Sequence, residues 1–106
     1  MTKTIRSLRA HYAWALRYHR RDVRRETKLL QENYYPSGIA IEALTVIAGA
    51  EEAIFFAQLA IRAAGGKIPT RVIPGIDEEH GPETIPLVPR WIRAAKRAAK
   101  DAVYAI

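Results

Sequence analysis

Cysteine is absent from the 106 residues, which excludes disulfide scaffolds, thiolate zinc sites and cysteine nucleophiles. Glycine and proline are absent from residues 1–35, so no helix breaker interrupts the first third of the chain. Cations break every apolar stretch of the first 28 residues, which predicts that they hold no signal peptide. What is present is a chain 49% hydrophobic, six prolines and a formal charge of +6. Such a composition is neither low-complexity nor disordered, and the length suits one small domain over residues 1–106. It favours a binder or building block over an enzyme, and no cofactor is expected.

The charge is unevenly distributed. Residues 1–28 carry nine cations against Asp22 and Glu26, a net +7, and residues 90–106 carry five against Asp101, a net +4. The two middle segments, 29–64 and 65–89, are net −3 and −2. Arginine outnumbers lysine twelve to five. A guanidinium is weakly hydrated and forms forked bonds to phosphate, so an arginine-rich surface suits a polyanion. A thermophilic origin would also enrich arginine.

The pattern predicts an all-α chain. From Lys3 to Tyr34 it fits one long helix, with Ile5, Leu8, Tyr12, Ala15, Leu16, His19, Val23 and Leu30 on one face. Opposite them lie Arg6, Arg9, Arg17, Arg20, Arg21, Arg24 and Lys28. Pro36 disfavours helical backbone at Tyr35, so the helix should end there, with Ser37 and Gly38 as turn and N-cap. A second helix is expected over Ile39 to Ala64, closed by Gly65-Gly66 and apolar nearly all round. Its length would cross a bilayer, but Glu42, Glu51, Glu52 and Gln58 make burial against protein the expectation. Ala43, Ala50, Ala57 and Ala64 recur every seven residues, with Val46, Ala53 and Ala60 between them. This small-residue seam permits close helix approach.

Residues 65–89 contain five prolines, which argues against a helix or a central strand. Ile68, Val72, Ile73, Ile76, Ile85, Leu87 and Val88 nevertheless call for burial, so this reads as an extended arm laid across a neighbouring subunit. Pro89 fits the first position of a short basic helix over residues 90–106. Trp91, Ile92, Ala95, Ala99, Ala102 and Ile106 form its apolar side, and Arg93, Lys96, Arg97 and Lys100 its basic stripe. A helix of about 32 residues is roughly 48 Å long, against a radius of gyration of about 13 Å for a compact domain of this size. One copy cannot cover such helices, so an extended subunit in an assembly is expected.

Candidate chemistry is sparse. His11 and His19 are about 12 Å apart along one helix and cannot share a metal. Asp77, Glu78, Glu79, His80 and Glu83 lack the spacing of a calcium loop and read as a solvated acidic turn. Glu42, Glu51 and Glu52 have no accompanying Glu-x-x-His, and Gly65-Gly66 has no Lys-Ser/Thr after it, so neither a di-iron site nor a phosphate loop is indicated. No metal site is expected. Trp14 and Tyr18 flank the basic stripe of the first helix and read as packing or interface residues.

Two resemblances bear on function. Arg6-Ser7-Leu8-Arg9-Ala10-His11 is similar to the R-x4-H motif of HEPN-type helical ribonucleases, which would make Arg6 and His11 a catalytic pair. The match spans six residues and lies near the N-terminus instead of late in the chain. In outline, Lys3–Lys28, the helix over 39–64 and the linking segment 65–89 together resemble the α-helical major capsid proteins of filamentous and rod-shaped archaeal viruses. That resemblance implies small subunits, one kind or close paralogues, that enclose double-stranded DNA in A form within a virion. It carries no diagnostic motif and transfers no site residue.

The expected function is therefore a self-assembling structural protein that packages nucleic acid through sequence-independent phosphate contacts. The contacts are assigned to Arg6, Arg9, Arg17, Arg20, Arg21, Arg24, Lys28, Arg93, Lys96, Arg97 and Lys100. The alternatives are a pilus-like extracellular filament subunit with bound lipid, and a chromatin-like or regulatory DNA-binding dimer in the cytoplasm. The ribonuclease is more remote.

Overall fold

The computed structural model describes residues 3–32, 36–75, 79 and 81–104. Helix α1 spans Lys3–Glu32, α2 Pro36–Ala63 and α3 Arg90–Tyr104, and strands β1 Thr70–Ile73 and β2 Glu83–Pro86 lie between the last two helices. The chain is mostly helical, with one small sheet.

α1 and α2 form an antiparallel hairpin. Near its open end Arg9 of α1 donates from Nη2 to the carbonyl of Lys67 at 2.9 Å, and Tyr12 meets Gln58 of α2. α3 covers the half near the α1–α2 connection. There Val23 and Leu30 pack with Ala40, Ala43, Ile47, Ala50 and Ile54 of α2 and with Ile92, Ala95 and Ala99 of α3. The expected apolar face of α1 is the one turned inward, with Ile5, Ala15, Val23 and Leu30 buried and Leu8, Tyr12, Leu16 and His19 half-buried. Three members of the alanine seam, Ala43, Ala50 and Ala57, are buried inside the chain, whereas Ala64 lies beyond the end of α2 and is exposed.

The molecule is a slab of 49 × 39 × 16 Å with a radius of gyration of 16.5 Å. A compact chain of this length would reach only about 13 Å. The thin dimension holds two helix layers at about 8–10 Å separation. α2 forms one layer, and α1 and α3 lie over it and touch each other. α2 is therefore covered on one side only: Ile41, Thr45, Ala48, Gly49, Glu52 and Phe56 are exposed along the other.

Three details differ from the sequence reading. α2 begins at Pro36, so Ser37 and Gly38 are its first turn and not a turn before it. Proline at the first helical position has its φ preset, and its missing N–H would have had no partner there. The 65–89 segment is not an irregular arm but an antiparallel ribbon, registered Thr70↔Pro86, Arg71↔Ile85, Val72↔Thr84 and Ile73↔Glu83. Pro69 and Pro74 bracket β1, while Pro82 precedes β2 and Pro86 ends it, so no proline removes a donor from the middle of a strand. Finally Pro89 precedes α3 instead of opening it: the helix starts at Arg90, as expected, and the carbonyl of Pro89 accepts from Ile92 and Arg93 at 3.1 and 3.3 Å. Tyr34 and Ile106, the expected ends of α1 and α3, lie outside the described residues, as do Ile76, Asp77, Glu78 and His80.

Gly65-Gly66 closes α2 in a Schellman motif: Gly66 donates to the Ile61 carbonyl at 2.9 Å and Gly65 to that of Arg62 at 3.0 Å. Gly65 has φ +90°, and a Cβ on Gly66 would stand 2.7 Å from Cγ2 of Ile61. Gly65→Ala is expected to cost roughly 1–2 kcal/mol in chemical denaturation because an L side chain resists positive φ. A midpoint equal to that of the parent would contradict this.

Gln58 is 1% exposed and joins three elements. Its Nε2 donates to the Leu87 carbonyl at 3.0 Å, after β2, and to the Tyr12 hydroxyl at 3.3 Å. Burial raises the Tyr12 pKa above 10.0, and the bond from Gln58 partly opposes this. A group whose folded pKa is raised stabilises fully below its unfolded pKa, and that contribution is lost as pH climbs through the folded value. Stability should therefore fall above about pH 10, and Tyr12→Phe should flatten that fall. Identical alkaline melting curves for parent and variant would refute the assignment.

Candidate nucleic-acid interface

Because α1 and α3 turn their apolar sides toward α2, most of their cations point away from it, Lys96 excepted. Arg6, Arg9, Arg17, Arg20, Arg21, Arg24 and Lys28 all lie along the outer side of α1, and Arg93, Arg97 and Lys100 are exposed on α3. Packing brings parts of the two stripes together. A groove of 660 Å³ runs between the helices, with Arg20, Arg24, Lys28 and the acid Glu32 on its α1 wall and Val23, Thr27, Trp91, Ala94, Ala95 and Ala98 forming the rest. It adjoins, through Ala94, a 310 Å³ depression bordered by Arg90, Arg93 and Arg97. Small alanines on α3 keep the channel open, while large arginines rim it.

Acids do little to neutralise this rim. Lys28 lies 3.9 Å from Glu32, an exposed i,i+4 pair of small energetic weight. Arg20, Arg24, Arg90, Arg93 and Arg97 have no ion-pair partner among the described residues. Guanidinium groups held along a groove and free of carboxylates are suited to successive anionic groups.

Not every assigned residue joins this groove. Lys96 points to α2 and pairs with Glu51 at 3.3 Å. Arg9 caps the Lys67 carbonyl. Arg6 and Arg17 continue the α1 stripe beyond the groove, and Arg21 sits 5.8 Å over the ring of Tyr18. Lys100 is exposed on α3 and is not part of the groove lining. Conversely, Trp91 lines the groove and Arg90 the depression beside it, although the sequence pattern assigned neither of them to phosphate contacts. Arg90, Arg93 and Arg97 are spaced i, i+3, i+7, the periodicity of one helix face, and that spacing was the available signal.

Arg6 and His11 do not converge within one copy. Five residues of helix separate them by about 140° around α1. His11 stacks on Trp14 at 5.8 Å, and Trp14 on Tyr18 at 5.1 Å, leaving an exposed aromatic ladder on the flank of α1 away from the groove. His19 is half-buried and meets Tyr18 edge-on at 5.1 Å. Among the described residues no group of three or more His, Asp or Glu is placed to hold a metal. Residues Ala40–Ala63 are long and apolar enough to cross a membrane by length and composition, with mean hydropathy 1.6.

No protein-family model, curated protein or solved structure matches this chain.

Proposed function

We propose that the chain is a structural protein that self-assembles and packages nucleic acid through sequence-independent phosphate contacts, as a capsid or nucleocapsid subunit of a virion. The observation that carries this reading is the groove between α1 and α3, with Arg20, Arg24 and Lys28 on its wall, together with the adjoining depression bordered by Arg90, Arg93 and Arg97. Cations on two helices can follow a phosphate backbone without reading bases. The thin slab and the uncovered side of α2 support an extended subunit completed by further copies or a close paralogue. Double-stranded DNA is the partner that the resemblance to archaeal viral capsid proteins implies.

Protein purified without nuclease is expected to carry nucleic acid, with absorbance at 260 nm exceeding that at 280 nm. The one rival that a structural feature favours is the lipid-bound filament subunit, because Ala40–Ala63 is apolar and half uncovered. Protein free of nucleic acid that yields extractable phospholipid would overturn the packaging reading in favour of the filament.

A further inference from the structure

Seven large apolar side chains are well exposed among the described residues, and five of them fall on two patches. The first is the outer flank of α1, where Trp14 (50% exposed), Tyr18 and Leu29 alternate with Arg17, Arg21 and Arg25. The second is the outer side of α2, where Ile41 (63% exposed) and Phe56 (59%) bracket Thr45 and Gly49 beside Glu42 and Glu52. Within one molecule these patches cannot meet, because α1 and α2 already pack through their opposite sides.

The patches differ in charge and match in length. The flank of α1 exposes cations; its nearest acid, Asp22, already lies 3.5 Å from Arg25. The outer side of α2 carries acids, and the first cation of α2 is Arg62 in its last turn. Trp14 to Leu29 and Ile41 to Phe56 are each fifteen residues, about 22 Å of helix. Placing either patch against its own copy would oppose like charges, whereas crossing them pairs Arg17, Arg21 and Arg25 with Glu42 and Glu52.

We infer that the α1 flank of one copy docks on the outer side of α2 of the next, a head-to-tail contact between different surfaces of the same chain. A Cβ on Gly49 meets no atom within 4 Å, so that position is open space where the Trp14–Tyr18 ladder can approach the α2 backbone closely. A contact of this kind does not close on itself as a two-fold dimer does; it propagates into a ring or an open filament. It also leaves the groove arginines free, since Arg24 and Arg20 lie about 100° and 140° around α1 from the midpoint of the Trp14–Tyr18 pair. The inference rests on the self-assembly half of the reading above and is independent of its nucleic-acid half.

The absence of cysteine permits a direct test with nuclease-treated protein. Tyr18→Cys and Thr45→Cys variants are made separately and treated with a short bismaleimide, alone and mixed. Cross-linked pairs are expected from the mixture and from neither variant alone. Gly49→Arg, which meets open space in the monomer, should keep its helical spectrum. It should raise the concentration needed for self-association by about tenfold or more, because the new guanidinium faces the arginines of the α1 flank. Cross-linking of Thr45→Cys with itself, or parent protein that associates without cross-links in the mixture, overturns this contact while leaving the assembly reading intact. Loss of DNA affinity in Trp14→Ala with self-association unchanged overturns the contact too. The same holds if the α2 side binds phosphatidylglycerol vesicles in place of another copy. Parent protein that stays monomeric at all concentrations, with and without DNA, overturns both the contact and the assembly reading.

Discussion

Reversing Arg20, Arg24, Arg93 and Arg97 to Glu is expected to lower affinity for a random-sequence duplex by roughly a thousandfold near 150 mM salt. Arg20 and Arg24 line the groove, Arg93 and Arg97 border the depression beside it, and none of the four has a carboxylate partner among the described residues. Each phosphate contact adds about 0.9 to the slope of log affinity against log salt, so removing four should flatten that slope by about 3–4. The parent's affinity should be the same for unrelated sequences, because phosphate contacts carry no base information. Reversal of Lys67 and Arg71, exposed on the ribbon side, should change the slope by less than about one unit and so separate the groove from net charge. An unaltered slope in the fourfold variant would mean that the groove does not hold the polyanion.

The second large effect concerns stability. Ile54 is 1% exposed and sits where α2 meets both other helices. Ile54→Ala removes apolar surface and leaves a cavity that three packed helices cannot fill, at a cost of about 2–5 kcal/mol. For a domain of this size that corresponds to a melting temperature lower by roughly 10–25 °C. Ile41→Ala, thirteen residues earlier on the uncovered side, should cost less than about 1 kcal/mol under conditions where the protein is monomeric. Equal losses in the two variants would contradict the one-sided burial of α2.

These positions show how far the fold was legible in the amino-acid pattern. The inward face of α1 followed from 3.6-residue periodicity, and the Ala43–Ala50–Ala57 seam from its seven-residue recurrence. Gly65-Gly66 announced its own motif because few other residues accept that backbone. The start of α2 did not follow: Pro36 can end one helix or begin the next, and its second role prevails here. The ribbon was obscured because its strands have four residues each, too few to display an alternating pattern.

The candidate site was half legible for a related reason. Each basic stripe is a property of one helix and can be read from it. Which cations meet across a groove depends on how α1 and α3 rotate against α2, and that is decided by the packing of Val23, Ile54, Ile92 and Ala95. Hence Trp91 joined the groove and Arg90 the depression beside it, while Lys96 was drawn to Glu51 and Arg9 to the Lys67 carbonyl. The aromatic ladder was present in the i, i+3, i+7 spacing of His11, Trp14 and Tyr18. Its exposure becomes apparent only once the inward face of α1 is fixed.

In the proposed function many copies of this chain coat nucleic acid through the α1/α3 groove. Electron microscopy of the protein mixed with linear duplex DNA of several defined lengths tests it most directly. Regular nucleoprotein particles are expected whose length grows in proportion to the DNA, whatever its sequence. Naked DNA beside dispersed protein, or filaments of constant form that exclude the DNA, would contradict it.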